Sequence, residues 1–240
     1  GEHNEPDLIL SIMPYDTPKE VPAKAQKFTK DNALIKGLFF LDSSGKKNII
    51  LLSEEKDLFL DTSYLELMLL RAFYTLSQQS NEKSILIHSC AVVKDGYAYV
   101  FTGRSGSGKT TIANLSINKG IILHDEFVII YKDKDKFLVQ GTPFHTKLPV
   151  DNRLSASLKA VFLLKHGKEL KIYDVHHSQA FIELMKQVVP PEGFDLSEFR
   201  ISYRQMDVVM DIYSNLVNAI PCFYMEFSPN NDFWHIIERI

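Results

Sequence analysis

The sequence predicts an α/β chain with α+β character, in which a mixed β-sheet feeds a phosphate-binding loop from an antiparallel hairpin. Three observations carry this expectation. Gly103-Arg104-Ser105-Gly106-Ser107-Gly108-Lys109-Thr110 fits G-x-x-x-x-G-K-[ST], the loop whose backbone N–H groups cradle a polyphosphate. Tyr97–Thr102 before it is an aromatic and β-branched run, and Thr110–Ile117 after it turns Ile112, Leu115 and Ser116 to one side of a short helix. Finally, Ile85–Val93 is joined to Tyr97–Val100 through Lys94-Asp95-Gly96, and Asp-Gly between two β-rich runs signals a hairpin. A doubly wound phosphate-loop domain would take that strand from a parallel βαβ unit, so the hairpin is what makes the sheet mixed.

The composition bounds the rest. A chain of 240 residues with 45% hydrophobic content can bury a sizeable core as one large domain or two small ones. A net charge of −3 gives no electrostatic footprint for nucleic acid or a membrane surface. Cys90 and Cys222 sit in apolar runs and form no disulfide framework, so buried thiols and a cytoplasmic location are expected. No apolar run approaches the roughly 18 residues of a membrane span, and the N-terminus lacks the charged-then-apolar pattern of a signal peptide.

In chain order, Leu8–Met13 reads as a strand, and Pro14, Pro18 and Pro22 then argue for an extended connection. Leu38–Asp42, Asn48–Ser53 and Leu58–Asp61 read as three short strands of an antiparallel meander. Ser63-x-x-Glu66 opens a helix whose Leu65, Met68, Leu69, Ala72, Phe73 and Leu76 form one apolar face. Residues 1–80 are thus expected to pack, as a meander plus helix, on a core formed by residues 81–240, in one compact unit. In that core the helix after the loop stops near Gly120, and Ile121–Glu126 begins a strand that Phe127–Tyr131 continues. Lys132–Lys136 is a charged hairpin turn with Phe137–Gln140 as its return strand. Leu158–Lys165 and Glu169–Tyr173 read as a hairpin around Gly167, Ser178–Val188 and Ser197–Val217 as helices, Cys222–Phe227 as a last strand, and Phe233–Ile237 as a terminal helix.

Asp125-Glu126 is the second half of the chemistry. Phosphoryl transfer needs Mg²⁺ against the β/γ oxygens and a group that orients or deprotonates the attacking hydroxyl. Two adjacent acids at a strand end can divide that work, and a Mg²⁺-nucleotide would supply the positive charge that buried carboxylates need. In the loop, Gly103, Arg104, Ser105, Gly106, Ser107, Gly108, Lys109, Thr110 and Thr111 would hold the phosphates, with the Thr110 hydroxyl on the metal. His88 lies on the neighbouring hairpin arm, where an unperturbed pKa of about 6.5 suits proton handling or phosphate binding. Arg104, His145, Lys147 and Arg153 are candidate binders of the transferred phosphate or the acceptor. The remaining histidines, His124 and His176-His177 among them, show no metal-ligand spacing.

Ile87-His88-Ser89-Cys90-Ala91-Val92, Asp95-Gly96, Phe101 to Thr111 and His124-Asp125-Glu126-Phe127-Val128, in this order, resemble the catalytic core of HPr kinase/phosphorylase, and more closely its shorter bacterial homologs. The resemblance covers about residues 85–147, with the Gly141-Thr142-Pro143-Phe144 loop and Phe223–Trp234 also similar to the shorter homologs. It implies a phosphoenolpyruvate-carboxykinase-like fold, ATP and Mg²⁺. It also implies Asp125 as the proton-handling aspartate, Glu126 and Thr110 on the metal, and His88 beside the phosphates. Glu126 stands where the family has Asp, and Thr111 where HPr kinases usually carry Glu. The activity implied is transfer of the γ-phosphate of ATP to a hydroxyl of a protein or small molecule; the alternative, favoured by those two departures, is a nucleotide-binding regulatory module without transfer. A decarboxylating carboxykinase would need further basic and metal-binding residues that the sequence does not display. The acceptor and any homo-oligomer stay open.

Overall fold

The computed structural model of the chain describes the backbone of residues 8–14, 26–27, 35–41, 47–53, 84–144, 146–187, 203–229 and 232–240, and the side chains of 84–144, 146–187, 209–229 and 232–240. The chain divides into two compact units, residues 1–80 with 190–201, and residues 81–189 with 202–240.

In the first unit β1 (Leu8–Pro14), β2 (Gln26–Lys27), β3 (Ile35–Leu41) and β4 (Lys47–Ser53) form a sheet of order β1-β4-β3-β2. Of the expected meander, the first two strands appear as β3 and β4. β3 and β4 make an antiparallel hairpin, but β1 lies parallel to β4, with Leu8 opposite Lys47 and Pro14 opposite Ser53. Turn residues report pairing between consecutive strands, and a strand that pairs across the sequence leaves no local mark. The expected strand Leu58–Asp61 and helix Ser63–Leu76 lie outside the described residues.

The second unit is built on β5 (Ser84–Lys94) and β6 (Tyr97–Thr102). Asp95 (φ 51°) and Gly96 (φ 82°) both adopt the left-handed conformation that a two-residue hairpin turn requires. After β6 come α1 (Lys109–Ser116), β7 (Ile121–His124), β8 (Phe127–Asp133) and β9 (Lys136–Gly141). β10 (Ser155–His166), β11 (Lys171–Asp174), α2 (His177–Met185), α3 (Tyr203–Ala219), β12 (Cys222–Phe227) and α4 (Trp234–Ile237) complete it. The eight-stranded sheet runs β11-β12-β10-β6-β5-β8-β9, with β7 also paired to β5. β5 is antiparallel to β6 and β8, while β10 is parallel to β6 and β12, so the sheet is mixed.

β10 and β11 do not form the expected hairpin, because β12 lies between them, parallel to β10 and antiparallel to β11. The unbroken buried run Ala160–Leu164 marks β10 as covered on both faces, which places it inside the sheet with a neighbour on each side.

Alternation along the central strands divides the core in two. Ile85, Ile87, Ala91 and Val93 of β5 join Ala180 and Leu184 of α2 and Val209, Ile212, Tyr213 and Leu216 of α3 on one face. Cys90 and Val92 of β5 with Tyr99 and Phe101 of β6 meet Ile112 and Ala113 of α1 and Phe233, Trp234 and Ile237 of the α4 segment on the other. The buried Trp234 indole donates to the Ser116 hydroxyl at 3.0 Å, which ties α4 to the end of α1. The result is three layers, with helices on both faces of the sheet.

Candidate functional site

The loop begins where β6 ends. The backbone N–H of Ser107 donates to the Arg104 carbonyl at 3.0 Å, closing a tight turn, and Gly106 (φ 77°) and Gly108 (φ 100°) supply the left-handed steps. Gly108 caps α1, and its carbonyl accepts the Ile112 N–H at 2.9 Å. A Cβ at Gly108 would lie 2.6 Å from the Phe227 ring of β12. Arg104, Ser105, Gly106 and Thr110 are exposed, and Thr111 is half-buried. Lys109 is buried, and its ammonium donates to the carbonyls of Gly103 (2.8 Å) and Arg104 (3.3 Å). Burial draws its pKa down, against the opposing charge of Glu126 and then Cys90.

The acids occupy a break in what reads as one strand. β7 and β8 both pair antiparallel with β5, through Ala91 opposite His124 and His88 opposite Phe127. Asp125 and Glu126 fill the gap, and the Glu126 carbonyl accepts the Ser89 N–H at 2.9 Å. The buried His124 makes the break. Its Nδ1 accepts the backbone N–H groups of Glu126 (3.0 Å) and Phe127 (3.1 Å). Two donors at Nδ1 fix a neutral ring with its proton on Nε2, which faces the Phe144 carbonyl at 3.3 Å. The Asp125 carboxylate lies 3.9 Å from the same nitrogen. Asp125 is buried, with the Thr146 hydroxyl donating to it at 2.5 Å, whereas Glu126 is exposed.

Burial, and then the charge of Lys109, lower the His88 pKa from 6.5 to about 4, so at neutral pH the ring is neutral, with one N–H donor and one acceptor nitrogen. Its backbone is pinned on both sides: the N–H donates to the Gln187 carbonyl and the carbonyl accepts the Thr102 hydroxyl, each at 3.0 Å. The Cys90 thiol is pushed up by burial, then by the Asp125 charge, with Lys109 opposing. Lys109 thus shares its electrostatic neighbourhood with His88, Glu126 and Cys90, and Asp125 reaches the same thiol.

Lys147 and Arg153 are exposed, and His145 lies outside the described residues. Two residues of this neighbourhood, His124 and Thr146, escaped the sequence reading. The first had a weak signal in standing just before the acid pair. Thr146 had none, because only the fold brings its segment to Asp125. Among the described residues no group of three or more His, Cys, Asp or Glu could hold a metal ion alone.

Residues 51–240 match the family described as SynChlorMet cassette protein ScmC. The chain belongs to that family. The ScmC description names no reaction, so the chemistry rests on the residues above. No curated protein matches the chain. A solved structure of the Hpr(Ser) kinase/phosphatase from Coxiella burnetii is similar at 9% identity and a TM-score of 0.35, covering 64% of this chain and 86% of that one. A likeness that loose carries no argument about fold or function. Among the described residues no helix is long and apolar enough to cross a membrane.

Proposed function

We propose that this ScmC-family chain is an ATP-Mg²⁺-dependent phosphotransferase of the HPr-kinase-like kind, acting on a hydroxyl of a protein or small molecule. One observation carries the reading: the bend holding Asp125 and Glu126 is hydrogen-bonded to Ser89 of β5, whose cross-strand partner Thr102 leads directly into the loop that Lys109 closes on the Gly103 carbonyl. A phosphate loop alone binds; acids beside its lysine supply what transfer adds.

The residues suit Mg²⁺. This ion takes one or two carboxylates, a hydroxyl and phosphate oxygens and keeps several waters, so it needs no protein cage. The exposed Thr110 hydroxyl and Glu126 carboxylate would hold it, and when bound it would neutralise charge on the β and γ oxygens. The backbone of Gly103–Gly108 and Lys109 bind the phosphates. Asp125, oriented by Thr146, takes the acceptor's hydroxyl proton. The acceptor oxygen then bonds to the γ-phosphorus as the bond to the β–γ bridging oxygen breaks, and nucleoside diphosphate leaves. His88, neutral, offers a hydrogen bond and no charge.

The test pairs two variants in a labelled-ATP assay with candidate acceptors. Lys109→Ala loses nucleotide binding. Asp125→Asn keeps binding and loses transfer by about 10²–10⁴-fold, the usual worth of a general base. Normal transfer by Asp125→Asn removes the role given to that residue. Wild-type binding with neither transfer nor hydrolysis replaces the reading with a nucleotide-binding regulatory module.

A further inference from the structure

On the β10 side of the loop lies a cavity of about 290 Å³, bounded by Gly103, Arg104 and Ser107, by the carboxyl end of β10, by Tyr224 of β12, and by Glu183 of α2 with Gln187 just past it. The acids lie on the other side of the loop. The sheet order is β12-β10-β6-β5-β8, with the cavity over β10 and β12 and the Asp125-Glu126 bend beside β5. Leu163 is level with Thr102 in the parallel pair β6–β10, so the cavity opens just beyond the carboxyl ends of two parallel strands, where open α/β sheets take their ligands.

Two polar residues in its wall are more than nine-tenths buried, and the Ser107 hydroxyl among them has no partner. Ser107 is 7% exposed and its hydroxyl makes no hydrogen bond. Gln187 is 8% exposed, and among the described residues its hydrogen bonds come from the backbone alone, its N–H to the Leu184 carbonyl and its carbonyl from the His88 N–H. Leaving a buried hydroxyl unmatched costs about 1–3 kcal/mol, and buried polar groups are otherwise almost always paired. The Ser107 hydroxyl therefore points to a ligand, and Gln187 lines the same cavity. A primary amide presents one donor and one acceptor side by side, the complement of an adenine edge. The cavity is near the lower end of the roughly 300–1,000 Å³ of ligand pockets, which suits a base and sugar better than a peptide.

We propose that this cavity holds the nucleoside of the nucleoside triphosphate, with adenine read by the Gln187 amide. The nucleotide then lies across the loop, its base over β10 and its γ-phosphate toward Asp125 and Glu126. The acceptor hydroxyl enters from the β5 side. This rests on the phosphate-binding reading of the loop.

Titration calorimetry with the Mg²⁺ forms of ATP, GTP and inorganic triphosphate tests it. The wild type is expected to bind ATP at least tenfold more tightly than triphosphate, and more tightly than GTP. Gln187→Leu, and separately Glu183→Phe, which fills the cavity from its α2 wall, are expected to lose at least tenfold in ATP affinity. Both keep triphosphate affinity within about twofold, which also shows that they are folded. Equal wild-type affinities for ATP and triphosphate, or unchanged ATP affinity in both variants, overturn the cavity assignment alone. GTP bound as tightly as ATP overturns the adenine assignment. A wild type that binds no triphosphate overturns the loop reading itself.

Discussion

The His124 imidazole accepts the backbone N–H of Glu126 at Nδ1, 3.0 Å away, and the Phe127 N–H at the same atom. The conformation of the acid pair thus depends on a side chain that grips its backbone. His124→Leu removes the acceptor for two N–H groups in a buried bend, a loss of about 1–3 kcal/mol for each group left unmatched. The expected outcome is a lower denaturation midpoint and at least a tenfold fall in transfer, with triphosphate affinity nearly unchanged because the loop is untouched. His124→Asn offers an amide oxygen close to the Nδ1 position and is expected to recover most of both. Hydrogen exchange at the Glu126 and Phe127 amides checks the clamp independently of activity. Unchanged protection in His124→Leu removes it.

What the sequence makes legible here is local. The hairpin at Asp95-Gly96, the loop and its helix, and the alternation of β5 between two faces are all set by neighbours in the chain. What it hides is long-range. The insertion of β12 between β10 and β11 and the parallel pairing of β1 with β4 join strands far apart in sequence, and turn residues carry no information about them. The acid pair was legible as chemistry, but the strand break that presents it is made by the ring of His124, whose acceptor role depends on a fold-dependent tautomer. Thr146 reaches Asp125 across 21 positions of sequence.

The loop glycines separate two kinds of constraint. Gly106 (φ 77°) has open space where a Cβ would go, whereas at Gly108 (φ 100°) the Cβ would meet the buried Phe227 ring at 2.6 Å. Gly106→Ala therefore costs the left-handed conformation alone, about 1–2 kcal/mol. Gly108→Ala adds a collision beneath the helix cap and is expected to cost clearly more, and to weaken triphosphate binding further, since the Lys109 end of the loop must shift. Chemical denaturation of the two variants reads the difference. Equal losses mean that the ring is not the constraint.

Neither thiol is a nucleophile at neutral pH. Burial pushes Cys222 up to about 12, and burial followed by the Asp125 charge pushes Cys90 up as well. Both are buried and free. A thiol reagent is expected to label neither in the native protein within minutes, and both promptly in denaturant. Fast native labelling of Cys90, suppressed by nucleotide, would instead show that the β5 strand opens beside the acid pair.

His88 sets a pH window for stability. Its folded pKa of about 4 lies below the ordinary 6.5, so between those values the unfolded chain binds the proton more readily than the folded one. Stability is then complete above about 6.5 and declines as pH falls toward 4, below which both states are protonated and the decline from this group ends. The shift sets an upper limit of about 3 kcal/mol, discounted because the ring is only partly buried and solvent screens it. The carboxylates titrate over part of the same range, so the informative quantity is the difference between the wild type and His88→Asn. That variant removes the titrating ring while keeping the backbone bonds to Gln187 and Thr102. Urea denaturation at pH 7, 6, 5 and 4.5 should show the wild type losing stability relative to the variant over this interval, with the two curves parallel above pH 7. Parallel curves throughout would mean that the His88 ring takes up its proton as easily in the folded protein as in the unfolded chain, and that it is not the dry, neutral neighbour of Lys109 that its position makes it.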